Sequence, residues 1–77
     1  MDYQDAIRDM LIRSGTQGIK QQAFTIRLTR WATGEEIHEY LEALRAEGKV
    51  QKFVDRWKGR QGAPPTYWRA TTKILEN

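Results

Sequence analysis

A chain of 77 residues has room for one small domain with a single core, and none for an active site buried between lobes. It carries 13 Lys and Arg against 10 Asp and Glu and no cysteine, which excludes a disulfide scaffold, thiol catalysis and any Cys-based zinc site. No apolar run approaches the ~18 residues of a membrane span, and the N-terminal MDYQDAIRD is acidic rather than signal-like, so the chain is expected to be soluble and cytoplasmic.

Residues 2–13 read as a helix, with Tyr3, Ile7, Met10 and Leu11 on one apolar stripe. Asp2 suits the N-cap, Arg13 suits the C-terminal end of the dipole, and Gly15 and Gly18 stop the element. The next segment, IKQQAFTIRLTRW over 19–31, fits two periods. Phe24, Ile26 and Leu28 alternate as in a strand, whereas Phe24, Leu28 and Trp31 share a helical face. The expected outcome is a short extended piece around 19–21 and a helix over roughly 22–31.

Residues 33–47 form the clearest element. Thr33-Gly-Glu-Glu36 has capping-box spacing, Ile37, Tyr40, Leu41 and Leu44 make the buried stripe, and Gly48 supplies a left-handed stop. After Gly48 the period changes to two. KVQKFVDRW over 49–57 reads as a strand, KGRQGAPP over 58–65 as a loop, and TYWRATT over 66–72 as a second, antiparallel strand. On the second strand Trp68 and Ala70 share one face and Tyr67, Arg69 and Thr71 the other. The tail, 73–77, is expected to fray, with extension of the strand by Ile74 and Leu75 as the alternative.

Few residues offer chemistry for catalysis or metal binding. His38 is the single histidine and Ser14 the single serine, there is no P-loop or dinucleotide fingerprint, and no Asp, Glu and His cluster suggests a metal site. The expectation is a binding protein, without cofactor or metal, rather than an enzyme. Charge is more informative than its total of +3 suggests. By segment the net charge is −1 over 1–18, +3 over 19–32, −4 over 33–48 and +5 over 49–77. A basic C-terminal third beside an acidic centre favours an anionic partner at one surface.

The order of elements is α-(short β)-α-α-β-β, an α+β domain. With the stretch TGEEIHEYLEALRAEGKVQK over 33–52 and the closing PPTYWRAT, it resembles the winged-helix branch of helix-turn-helix domains over nearly the whole chain. That resemblance implies a DNA-binding protein, such as a small transcription regulator or an accessory protein of a mobile element, whose third helix enters the major groove. GKVQK followed by APPTYW is also similar to Zalpha-type domains, winged helices that bind left-handed nucleic acid. By position this implies wing contacts from Pro64, Pro65 and Trp68, and a polar contact from His38. Glu42 departs from that pattern, standing where that family presents a tyrosine, and so do Gly34 and Glu35, where it tends to show lysines.

On a third helix over 33–47 the outward face would hold Glu35, His38, Glu39, Glu42 and Arg45, which is poor electrostatics for phosphate. The cations lie elsewhere: Lys49, Lys52, Arg56, Lys58 and Arg60 on the first wing strand and loop, Arg69 on the second strand, and Lys20, Arg27 and Arg30 before the third helix. Trp57 and Tyr67 are interleaved with the wing cations, a composition suited to phosphate contact. The expected site is therefore Lys20, Arg27, Arg30, His38, Lys52, Arg56, Lys58, Arg60 and Arg69, with duplex DNA as partner. Trp68 and Tyr40 are expected in the core. The rival expectation is a protein-interaction module that docks a basic partner on the acidic face of 33–47 or self-associates through the first helix.

Overall fold

The computed structural model describes residues 2–54 and 65–75. Its elements are α1 (Tyr3–Ser14), a 3-10 turn (Gly15–Gln17), β1 (Ile19–Lys20), α2 (Gln21–Leu28), α3 (Gly34–Ala46), β2 (Val50–Val54), β3 (Thr66–Ala70) and a second 3-10 turn (Thr72–Leu75). This is the α+β winged-helix layout, three helices on a small antiparallel sheet.

Local signals account for most element ends. Asp2 caps α1 by accepting from the Gln4 amide at 3.1 Å. Thr33 and Glu36 form the full capping box of α3: the Thr33 hydroxyl accepts from the Glu36 amide and the Glu36 carboxylate from the Thr33 amide. At its other end the Gly48 amide donates to the Arg45 carbonyl and the Lys49 amide to the Leu44 carbonyl, the Schellman pair. Gly48 takes φ 78° to do so, which is why a glycine stands there.

α2 differs from the helix expected over 22–31. It starts at Gln21 and ends at Leu28, where the Leu28 carbonyl accepts from the amides of both Trp31 and Ala32 and turns the chain. That turn puts Ala32 in the core and sends Trp31, expected on the buried face, out to 57% exposure. Tertiary packing overrides the i, i+7 spacing here, because α3 must begin at Thr33 and needs the chain to reverse first.

The sheet order is β1-β3-β2, both pairs antiparallel, with Ile19 opposite Trp68 and Lys52 opposite Trp68 from the other side. Because side chains alternate along a strand, Ile19, Lys52, Trp68 and Ala70 face the helices. Lys20, Gln51, Phe53, Tyr67 and Arg69 face away. Phe53 stacks on Tyr67 at 5.3 Å on that outer face, and its ring closes over Gly18, where an added Cβ would sit 3.0 Å from the Phe53 ring edge.

The core consists of Ile7 and Leu11 from α1, Phe24 and Leu28 from α2, Ala32 from the turn that follows, Ile37, Leu41 and Leu44 from α3, and Val50, Trp68 and Ile74. Tyr40 lies at its margin, edge-on to Tyr3, and burial pushes its hydroxyl above the usual tyrosine range while Arg8 opposes the shift. The tail expected to fray does not do so as far as Leu75. Ile74 is 2% exposed, and the Ile74 amide donates to the Thr71 carbonyl, so an apolar side chain holds the second 3-10 turn against the sheet. Residues 55–57 of the expected first strand, 58–64 of the loop and 76–77 of the tail lie outside the described residues. Among the described residues no helix is long and apolar enough to cross a membrane.

Candidate nucleic-acid interface

α3 packs Ile37, Leu41 and Leu44 inward, which turns His38 and Glu42, one helical turn apart, toward the edge where β2 passes. There Lys52 of β2 reaches Glu42, Nζ to Oε1 at 3.2 Å, and Arg45 reaches the other carboxylate oxygen at 3.3 Å. His38 Nε2 stands 3.8 Å from Glu42 Oε1. Three cationic or potentially cationic groups thus surround one carboxylate. The hydrogen bond from Lys52 is the leading cause that holds the Glu42 carboxyl below the usual range; desolvation opposes it and the Arg45 bond adds to it.

Behind this clamp lies a second layer. Trp68 is fully buried, and its indole N–H donates to Gln21 Oε1 at 3.2 Å. Gln21 Nε2 meets His38 Nδ1 at 3.3 Å, and the His38 ring stands edge-on to the indole, 6.3 Å between centroids. The Lys52 ammonium lies 5.5 Å from the Trp68 ring centroid, within cation–π range. Gln21, His38, Glu42, Lys52 and Trp68 therefore form one connected cluster drawn from α2, α3, β2 and β3.

The other expected site residues are spread more widely. Arg27 lines a groove of about 340 Å³ between α1 and α2, with Asp9, Met10, Arg13 and Ile19 among its neighbours. Arg30 follows α2 and lines a different groove, beside Trp31 and the N-terminus of α3. Arg69 stands on the outer face of the sheet, donating to Gln51 Oε1 at 2.6 Å and lying 5.6 Å from the Phe53 ring centroid. Lys20 shares that outer face, opposite Tyr67. The structure therefore brings His38 and Lys52 together and leaves Lys20, Arg27, Arg30 and Arg69 on other surfaces. Arg56, Lys58 and Arg60, with Trp57 and Pro64, lie outside the described residues.

Two outcomes alter the reading made from sequence. Trp68, carried over as a wing contact from the Zalpha resemblance, is sealed in the core with its one polar atom already used. Gln21 was not singled out at all. No sequence signal marks it, since its partners are 17 and 47 residues away.

No family model, curated protein or solved structure matches the chain.

Proposed function

We propose that this domain binds duplex DNA on the surface shared by α3 and the β2–β3 hairpin. The observation that carries the reading is the clamp on Glu42. The acidic composition of α3 was the main argument against phosphate contact, and at the wing side of the helix that acidity is offset by Lys52 and Arg45. The segment that continues from β2 adds Arg56, Lys58 and Arg60, within a C-terminal stretch of net +5. Counterion release by such groups is the main source of duplex affinity. A small regulator or accessory DNA-binding factor is the role that fits. A left-handed duplex has less in its favour, because the buried Trp68 is closed to a ligand.

One observation favours a second reading. Glu35 and Glu39 are exposed on the outermost side of α3, where a basic protein would find them. Titration of a random-sequence duplex into the isotopically labelled domain separates the two. Duplex binding is expected to move the amides of His38, Glu42 and Lys52 and to weaken steeply with salt. Unmoved amides at low salt would overturn it in favour of a protein partner.

A further inference from the structure

His38 is held by a polarity that starts 30 residues away along the chain, at Trp68. An indole N–H can only donate, so the Gln21 atom facing it at 3.2 Å is the amide oxygen. The amide NH2 then faces His38 Nδ1 at 3.3 Å. An NH2 group has no acceptor to offer, so Nδ1 must present its lone pair. A neutral imidazole carries one N–H, and it is consequently on Nε2. Reversing the Gln21 amide would set NH2 against the indole N–H and lose the bond to Trp68.

The Nε2–H has no acceptor within hydrogen-bond distance among the described residues. Glu42 Oε1 is 3.8 Å away, beyond hydrogen-bond length, and already accepts from Lys52. The His38 side chain is 44% exposed. The ring is thus an oriented, unused donor on the face of α3, placed by packing against Trp68 and by Gln21.

We propose that Gln21 is a positioning residue that fixes His38 in its Nε2–H form, and that this donor contacts the N7 acceptor of a purine in the major groove. The purine contact rests on the duplex-binding reading; the tautomer does not. N7 is an acceptor that every base pair shows in that groove, whereas the amino groups of adenine and cytosine present donors that would repel Nε2–H. His38 therefore favours an acceptor at its position without telling adenine from guanine, and Glu42, engaged by Lys52 and Arg45, does not compete for the same edge.

The test has two arms. In the free protein, nitrogen resonances of the imidazole are recorded on the alkaline plateau, where they no longer change with pH. Nδ1 is expected to be pyridine-type and Nε2 pyrrole-type. Gln21→Glu keeps the size and the acceptor for Trp68 but offers His38 a second acceptor, so the proton is expected to move to Nδ1. A wild-type proton on Nδ1, or a Gln21→Glu spectrum identical to wild type, overturns the positioning role. In the second arm, wild type is expected to bind a duplex in which every purine is a 7-deazapurine about fivefold more weakly, the worth of one hydrogen bond. His38→Ala is expected to show no such difference. Equal affinity of wild type for both duplexes overturns the purine contact. Absence of any duplex binding overturns the proposed function and the contact with it, while the ring spectrum still decides the role of Gln21.

Discussion

Glu42 shows how much of a residue's role is set by neighbours that the sequence does not place beside it. On the helix it reads as one of several solvated carboxylates, yet Lys52, ten residues on, makes it the centre of an ion cluster. Its carboxyl is held below the ordinary range, chiefly by the Lys52 hydrogen bond. A carboxyl depressed in the folded state lends stability above its unfolded value, and that stability is lost as pH falls through the folded value. Glu42→Gln is therefore expected to melt slightly below wild type at neutral pH. The gap should close in strong acid, below the depressed value. Thermal melts at both ends of that range check it; a gap that persists unchanged in acid would remove the ion cluster as its cause. Arg45, three residues from Glu42, was legible as its partner from helical spacing. The Trp68–Gln21–His38 chain was not, because long-range pairing brings those side chains together.

Elements were legible wherever their ends were encoded locally. α3 starts and stops within a residue of expectation because Thr33, Glu36 and Gly48 each make the bond their spacing implies. Thr33→Ala is expected to cost about 1 kcal/mol, read from urea unfolding, since it orphans the Glu36 amide and opens the box. The end of α2 was not legible. It is decided by which of Trp31 and Ala32 enters the core. The structure makes this testable with two tryptophans. Trp31→Ala is expected to change stability by no more than about 0.5 kcal/mol, as an exposed site. Trp68→Ala is expected to cost about 3–5 kcal/mol, from lost burial and the cavity together. Comparable losses in the two variants would contradict the turn at 28–32. The short turn at Thr72–Leu75 was missed for a related reason: two adjacent apolar residues, Ile74 and Leu75, carry no periodicity, and only packing shows which of them is buried.

For the whole molecule, affinity depends on where the charges collect. The described surface concentrates no strong positive field by itself: Arg27 and Arg30 line separate grooves, Arg69 is turned to the outer face of the sheet, and Lys52 is paired. If the domain binds duplex DNA, the phosphate contacts must come largely from the run between Val54 and Pro65, where Arg56, Lys58 and Arg60 stand in sequence. Replacing both Lys58 and Arg60 by Glu is expected to weaken binding strongly, and equally on unrelated sequences, because phosphate contacts carry no base information. The slope of log affinity against log salt should become shallower by roughly 0.9 for each phosphate that is no longer neutralised. Replacing Glu35 and Glu39 by Gln should leave binding intact or tighten it by the same electrostatics. Glu35 and Glu39 are exposed, so the melting of their Gln variant should stay near wild type. A Lys58/Arg60 variant that binds as before, with a Glu35/Glu39 variant that loses a protein partner, would shift the working surface from the hairpin to the acidic side of α3.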